Sequence, residues 1–141
     1  MELKGVNTLV VGTGISGISA ANLLMSEGAN IILYDSKANQ VEEAIKEKLP
    51  KDFNGQIVIG ELPKEVKQII NLVVLSPGVP TDLDYITKLR DKGIPIWGEI
   101  ELGFQFSKGK IVAITGTNGK TTTTTLVGEI MKTYFEHVFV V

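Results

Sequence analysis

Cysteine is missing from this 141-residue sequence, which has one histidine and one tryptophan and is only 6% aromatic. Without cysteine there is no disulfide framework, no thiolate metal site and no redox-thiol chemistry, and a reducing, cytoplasmic setting is expected. His137 stands with no carboxylate or nucleophile pattern beside it and reads as an exposed loop residue, and Trp97 reads as packing. A basic cluster is absent too: fourteen Lys and Arg face sixteen Asp and Glu, for a net charge of -2. That leaves no electrostatic footprint for nucleic acid or an anionic membrane, so the expected partners are small molecules or proteins. The 22 residues from Gly5 to Ser26 carry no charge, but four glycines and scattered Asn, Thr and Ser among them argue against a membrane span.

What is present is an alternation of short apolar runs and helical patterns. Asn7 to Val11 reads as a buried strand, and Ile15 to Glu27 as a helix ended by Gly28. Asn30 to Tyr34 is a second strand closing on Asp35, and Gln40 to Leu49 an amphipathic helix stopped by Pro50. Gln56 to Ile59 and Leu72 to Leu75 give two more strands around a short helix from Pro63 to Ile70. Asp82 to Lys92 reads as a helix, and Ile94 to Trp97 as an edge strand carrying a proline. Five strands separated by helices predict an α/β fold: a Rossmann-like parallel sheet covered on both faces, occupying residues 1–98. Residues 99–141 read as a linker helix, Glu99 to Phe106, and the opening of a second domain. In it a strand at Lys110 to Thr115 feeds a glycine-rich turn, a helix follows from Lys120 to Tyr134, and an apolar strand comes at Val138 to Val141. This is the first βαβ portion of a P-loop ATPase domain, and it is expected to be truncated, because one such unit cannot cover a sheet.

Two loops carry the chemistry. Gly12-Thr13-Gly14-Ile15-Ser16-Gly17 is G-x-G-x-x-G between strand and helix, with Asp35 ending the next strand 18 residues after Gly17. In that context Gly12 permits the tight turn, Gly14 admits a pyrophosphate to the helix N-terminus, and Gly17 allows close packing, while Asp35 meets a ribose or base edge. The bland alternative is a tight turn beside a solvated strand end, and the fingerprint alone does not say which nucleotide binds. The second loop is Gly116-Thr117-Asn118-Gly119-Lys120-Thr121-Thr122. Its amides and Lys120 can cradle ATP phosphates, and Thr121 can ligate Mg²⁺ through the bound nucleotide. A strict P-loop would need glycine at Ile114, so this is a shorter G-x-x-G-K-T variant. Ser76-Pro77-Gly78 lies at the carboxyl end of the fourth strand, where open α/β sheets bind ligands, although Pro and Gly there also suit a plain turn.

Taken together, GTGISG, Asp35, LSPGV, GEIEL from Gly98 to Leu102 and AITGTNGKTTTTTLVGEIM resemble the Mur ligase family over essentially the whole chain. The likeness is nearest to the members that join D-glutamate to UDP-N-acetylmuramoyl-L-alanine in the cytoplasm, for peptidoglycan precursor synthesis. The members that add L-alanine show a G-x-G-G-x-G-M loop, which Gly12 to Gly17 lacks. The resemblance implies that the first domain holds the UDP part of the substrate. Gly14, Ile15, Ser16, Asp35 and Ser36 then line the nucleotide, and Ser76, Pro77 and Gly78 form the turn at the uracil. Lys37 stands where some relatives have Arg, a less bidentate phosphate partner. Gly116 to Thr122 match the family's ATP loop, with Lys120 stabilising charge on the transferring phosphoryl group and Thr121 helping to hold Mg²⁺. The implied reaction is attack of a substrate carboxylate on ATP, giving an acyl phosphate that the amino group of D-glutamate displaces. The resemblance further implies a monomeric full-length enzyme, without nucleic-acid or membrane partners, and no activity from these 141 residues alone.

Two other readings stay open on the sequence. An NAD-dependent oxidoreductase or sensing module accounts for GTGISG and Asp35 but leaves GTNGKTT without a role. A stand-alone nucleotide-binding regulatory module without chemistry would require the 141 residues to be naturally complete.

Overall fold

A computed structural model describes residues 2–141, and the backbone divides into two compact units, one running to Ser107 and one spanning Lys108–Val141. The first unit contains β1 (Asn7–Val11), α1 (Ile15–Ser26), β2 (Asn30–Asp35), α2 (Glu42–Lys46), β3 (Gln56–Ile59), α3 (Lys64–Ile69), β4 (Leu72–Leu75), α4 (Asp84–Asp91), β5 (Ile96–Gly98) and α5 (Glu99–Phe106). Its five strands form one all-parallel sheet in the order β3-β2-β1-β4-β5. The chain therefore winds outward from β1 in one direction and then returns to add β4 and β5 on the other side. The reversal falls between β1 and β4.

The strand sequences are almost wholly apolar because both faces of the sheet are covered. Period-two alternation sends Val10, Ile31, Leu33, Leu72 and Val74 to one face, where Ile18, Ala21 and Leu24 of α1, Ile45 of α2 and Leu102 of α5 pack on them. Leu9, Val11, Ile32, Tyr34, Val73 and Leu75 go to the other, beneath Val66 of α3 and Ile86 and Leu89 of α4. Register is fixed by that alternation, with Val11 opposite both Tyr34 and Leu75. Pro95 lies just outside β5, where its carbonyl accepts the Val73 amide while its missing N–H costs the ladder nothing.

One boundary differs from the sequence reading. The first compact unit continues past Gly98 to Ser107, because α5 is not a linker: Leu102 is buried in the core and Trp97 and Phe106 pack against the same cluster.

The second unit contains α6 (Lys120–Lys132), formed where the sequence pattern places it. Lys110 to Thr115 and residues 138–141, expected as strands, make no strand ladder among the described residues. A parallel strand exists only through its neighbours' hydrogen bonds, and here neither segment takes the other as a partner. Ile111, Val112 and Phe139 are exposed in consequence.

Candidate functional site

The carboxyl ends of β1, β2 and β4 meet at one edge of the first unit, and the glycine loop lies across it. Gly12 prolongs the ladder by donating its amide to the Tyr34 carbonyl at 2.7 Å, then turns with φ +106°, a conformation side chains resist. A Cβ at Gly12 would also stand 2.7 Å from Ser76 Oγ, and one at Gly17 would run into the Gly12 carbonyl. These two glycines are thus demanded by packing between loop, helix and β4. Gly14 is different: a Cβ there would meet nothing within 4 Å, so its surroundings are open. It is the N-cap of α1 and offers no side-chain cap, and the first turn carries no acidic residue. The first amides of the helix therefore keep the partial positive charge that attracts an anion. Ile15 is 90% exposed on the rim of this opening, and Ser16 is half-buried.

Asp35 ends β2 beside the loop. Its Oδ2 accepts the Thr13 hydroxyl at 2.7 Å and the Thr13 amide at 3.3 Å, while Oδ1 accepts the Lys37 amide at 3.0 Å. Burial raises the carboxyl's pKa, but these three hydrogen bonds and the nearby Lys37 charge outweigh it, and the group sits below its ordinary value. The carboxylate is thus held ionised at the carboxyl edge of the sheet, beside the glycine loop. Ser36 follows on the exposed loop.

Ser76 lies opposite, at the end of β4, and its amide donates to the Val11 carbonyl at 3.0 Å. Its hydroxyl is buried, has no hydrogen-bond partner and abuts Gly12 and Gly17. Pro77 and Gly78 are exposed and form a turn closed by the Val79 amide on the Ser76 carbonyl at 3.2 Å. The structure therefore gathers Gly14, Ile15, Ser16, Asp35 and Ser76 to Gly78 at the one edge where strand order reverses, which is where doubly wound sheets take their ligands.

The glycine fingerprint assigns Thr13 no role, yet it is 5% exposed and holds Asp35. The available signal was its hydroxyl, placed two residues beyond β1 and across from an acid at the end of the neighbouring strand. Below Asp35, the rings of Tyr34 and Tyr85 meet edge to face with centroids 5.7 Å apart. Tyr34 donates its hydroxyl to the Gly60 carbonyl at 2.9 Å, whereas the buried Tyr85 hydroxyl has no partner and burial pushes its pKa up to about 12.

In the second unit, Gly116 to Gly119 form an exposed turn ahead of α6, and Lys120, Thr121 and Thr122 are its exposed first residues. Gly119 caps the helix in the left-handed conformation, φ +74°, which a residue with a Cβ adopts only at a cost. The 13-residue helix has neither a side-chain cap nor an acidic residue in its first turn, and Lys120 Nζ bends back to donate to the Gly116 carbonyl at 2.8 Å. Free helix amides, an ammonium and an open glycine turn fit a phosphate group. Among the described residues no group of three or more His, Asp or Glu side chains could hold a metal, and no helix is long and apolar enough to cross a membrane.

Fold and topology define the first unit as a Rossmann-like α/β domain with five parallel strands. The family described as "Mur ligase MurD-like, N-terminal domain" matches residues 6–98, which takes in every strand of the sheet, and the chain belongs to this family. It is 60% identical over 141 residues to the UDP-N-acetylmuramoylalanine--D-glutamate ligase of Lachnoclostridium phytofermentans. To the protein of the same name from Lachnospira eligens it is 50% identical. Each match takes in 100% of this chain and 31% of the relative, so the chain spans about a third of the length of these curated relatives. Among solved structures, a pseudomurein peptide ligase type C from Methanothermus fervidus shares the fold. The TM-score is 0.57 and the identity 23%, over 92% of this chain and 26% of that one.

Proposed function

We propose that this chain supplies the substrate-nucleotide pocket and the ATP loop of a cytoplasmic ligase that joins D-glutamate to UDP-N-acetylmuramoyl-L-alanine in peptidoglycan precursor synthesis. The observation that carries the reading is the carboxyl edge of the sheet at the β1/β4 reversal, where the uncapped N-terminus of α1 follows the same glycine loop that holds Asp35 ionised. In this reading the α1 amides after Gly14 take the diphosphate, Ile15 covers the nucleotide, and Asp35 and Ser36 accept and donate hydrogen bonds at its base or ribose. The turn at Ser76, Pro77 and Gly78 bounds the uracil. Conservation of names among relatives at 60% and 50% identity supports the choice of substrate.

Gly116 to Thr122 are assigned to ATP, with the α6 amides on its phosphates and the Thr121 hydroxyl on Mg²⁺. ATP supplies the phosphoryl group that activates the substrate carboxylate. Lys120 swings from the Gly116 carbonyl onto that group and stabilises the negative charge as it transfers, a role for a fixed charge rather than for an acid or base. The amide-forming activity belongs to the protein that contains both units together with the length its relatives have beyond them.

Calorimetric titration with UDP-N-acetylmuramoyl-L-alanine, with NAD as the control, tests the proposal. Binding of the UDP ligand, lost in Asp35→Ala, is the expected result. Binding of NAD alone would overturn it in favour of a dehydrogenase-like module.

A further inference from the structure

The Asp35 carboxylate has about four sites at which it can accept a hydrogen bond, two on each oxygen. Oδ2 has both filled by one residue, through the Thr13 hydroxyl at 2.7 Å and the Thr13 amide at 3.3 Å. Oδ1 has one filled, by the Lys37 amide at 3.0 Å. A single acceptor site is therefore left, on Oδ1. Thr13 itself is buried, so its hydroxyl cannot serve a ligand, and the short O–H···O⁻ distance is that of a charge-assisted bond. The sequence gives this position no such duty, since it is a variable residue of the glycine fingerprint.

We propose that Thr13 is a positioning residue: its hydroxyl locks the rotation of the Asp35 carboxylate, so that one oxygen is consumed in tying β2 to the glycine loop. The other then presents a single acceptor site to one N–H or O–H donor of the bound nucleotide. The proposal rests on the uridine reading of this sheet edge for the identity of that nucleotide. A carboxylate with one vacant acceptor site suits a single donor such as an imide N–H or one ribose hydroxyl, and is poorly suited to gripping two neighbouring ribose hydroxyls at once. The titratable groups around Asp35 are Lys37 on the following loop, Tyr34 beside it in β2, and Tyr85 reaching over from α4. Of these only Lys37 carries a charge at neutral pH, and it acts with Thr13 in favouring the ionised carboxylate.

The test uses the 141-residue chain with Thr13→Val, which keeps the shape and removes the hydroxyl, and Thr13→Ser, which keeps the hydroxyl and removes a methyl. The Asp35 carboxyl is followed by carbon-detected NMR across the acid range without ligand, and uridine diphosphate is titrated calorimetrically at each pH. The expected result is that Thr13→Val moves the Asp35 midpoint upward and weakens uridine diphosphate binding about tenfold at neutral pH, the loss of roughly one hydrogen bond to a charged group. The acid limb of binding should move upward with it, and Thr13→Ser should restore both properties. An Asp35 midpoint unmoved by Thr13→Val overturns the proposal whatever the ligand does. A midpoint displaced equally by Thr13→Ser also overturns it, since packing of the methyl would then be the cause, and that variant decides the matter if Thr13→Val does not fold. If the unsubstituted chain does not take uridine diphosphate while Thr13→Val still moves Asp35, the uridine reading falls and the positioning of the carboxylate by Thr13 stands.

Discussion

Gly17→Ala offers a severe test of how the glycine loop is packed. In an ordinary helix the change would stabilise by about 1 kcal/mol, because alanine is the better helix former. Here the new methyl points into the Gly12 carbonyl, with the carbonyl carbon at 2.8 Å and Ser76 Oγ at 3.0 Å. The obstructing atoms are mainly backbone, pinned by the Gly12 amide on Tyr34, so no rotamer change can relieve them. Overpacking of this kind costs about 1–3 kcal/mol, and a backbone obstacle argues for the upper end. Subtracting the helix gain leaves a net loss of about 2 kcal/mol, equivalent to a fall in Tm of roughly 8–16 °C for a unit of this size. Trp97, the single tryptophan, lies in β5 and makes urea unfolding of the first unit visible by fluorescence. Gly14→Ala is the control: its methyl enters open space, and the fold should lose no more than about 1 kcal/mol through the poorer cap while phosphate binding weakens. Adding Ser76→Ala should not rescue Gly17→Ala, since the carbonyl remains in place. A Gly17→Ala chain unfolding within about 0.5 kcal/mol of its parent would refute the reasoning, because it would mean the loop yields freely.

Four further outcomes can be measured. Tyr85→Phe should be neutral or slightly stabilising, since it removes a buried hydroxyl without a partner, and a loss above about 1 kcal/mol in urea titration would show a hidden bond. The raised Tyr85 pKa means that the unfolded chain releases this phenolic proton before the folded one does, so stability should decline as pH rises above about 10, and decline less in Tyr85→Phe. Asp35 has the opposite sign: its folded pKa is depressed, so its contribution is complete above the ordinary carboxylate value of 3.8 and disappears as pH falls through the lower folded value. The stability of Asp35→Asn should therefore converge on that of the parent in acid, and a constant gap at all pH values would contradict the assignment. In the second unit, Lys120→Met should abolish ATP binding measured by a fluorescent analogue while leaving the Trp97 unfolding curve unchanged.

The sheet was legible in the sequence because each strand is a short, almost purely apolar run bounded by glycine, proline or asparagine, and the intervening segments have helical period. The glycine fingerprint also declared its own position, as the strand ends at Val11, just before Gly12, and the helix begins at Ile15, just after Gly14. What could not be read were facts of the third dimension. That Thr13 grips Asp35 depends on Val11 standing opposite Tyr34, a register visible only once the strands are paired. Ser76 likewise looked like part of a ligand turn, and only packing reveals that its hydroxyl lies against two glycines. The segment Lys110 to Thr115 has every local mark of a strand, but strandness is conferred by a neighbour, and no propensity supplies one. Glu99 to Phe106 reads as a linker helix because it falls between the last strand of the sheet and the second glycine loop, and only packing reveals that Leu102 anchors it.

That anchor has a practical meaning for anyone wishing to transplant the first unit. A cut at Gly98, the limit of the family match, would spare all five strands yet unroof the face carrying Val74 and Trp97, forfeiting Leu102, whose burial alone is worth about 1.5–3 kcal/mol. The separable cassette ends instead at Ser107, where Ser-Lys-Gly takes over and the chain can be severed without stripping the sheet of its cover.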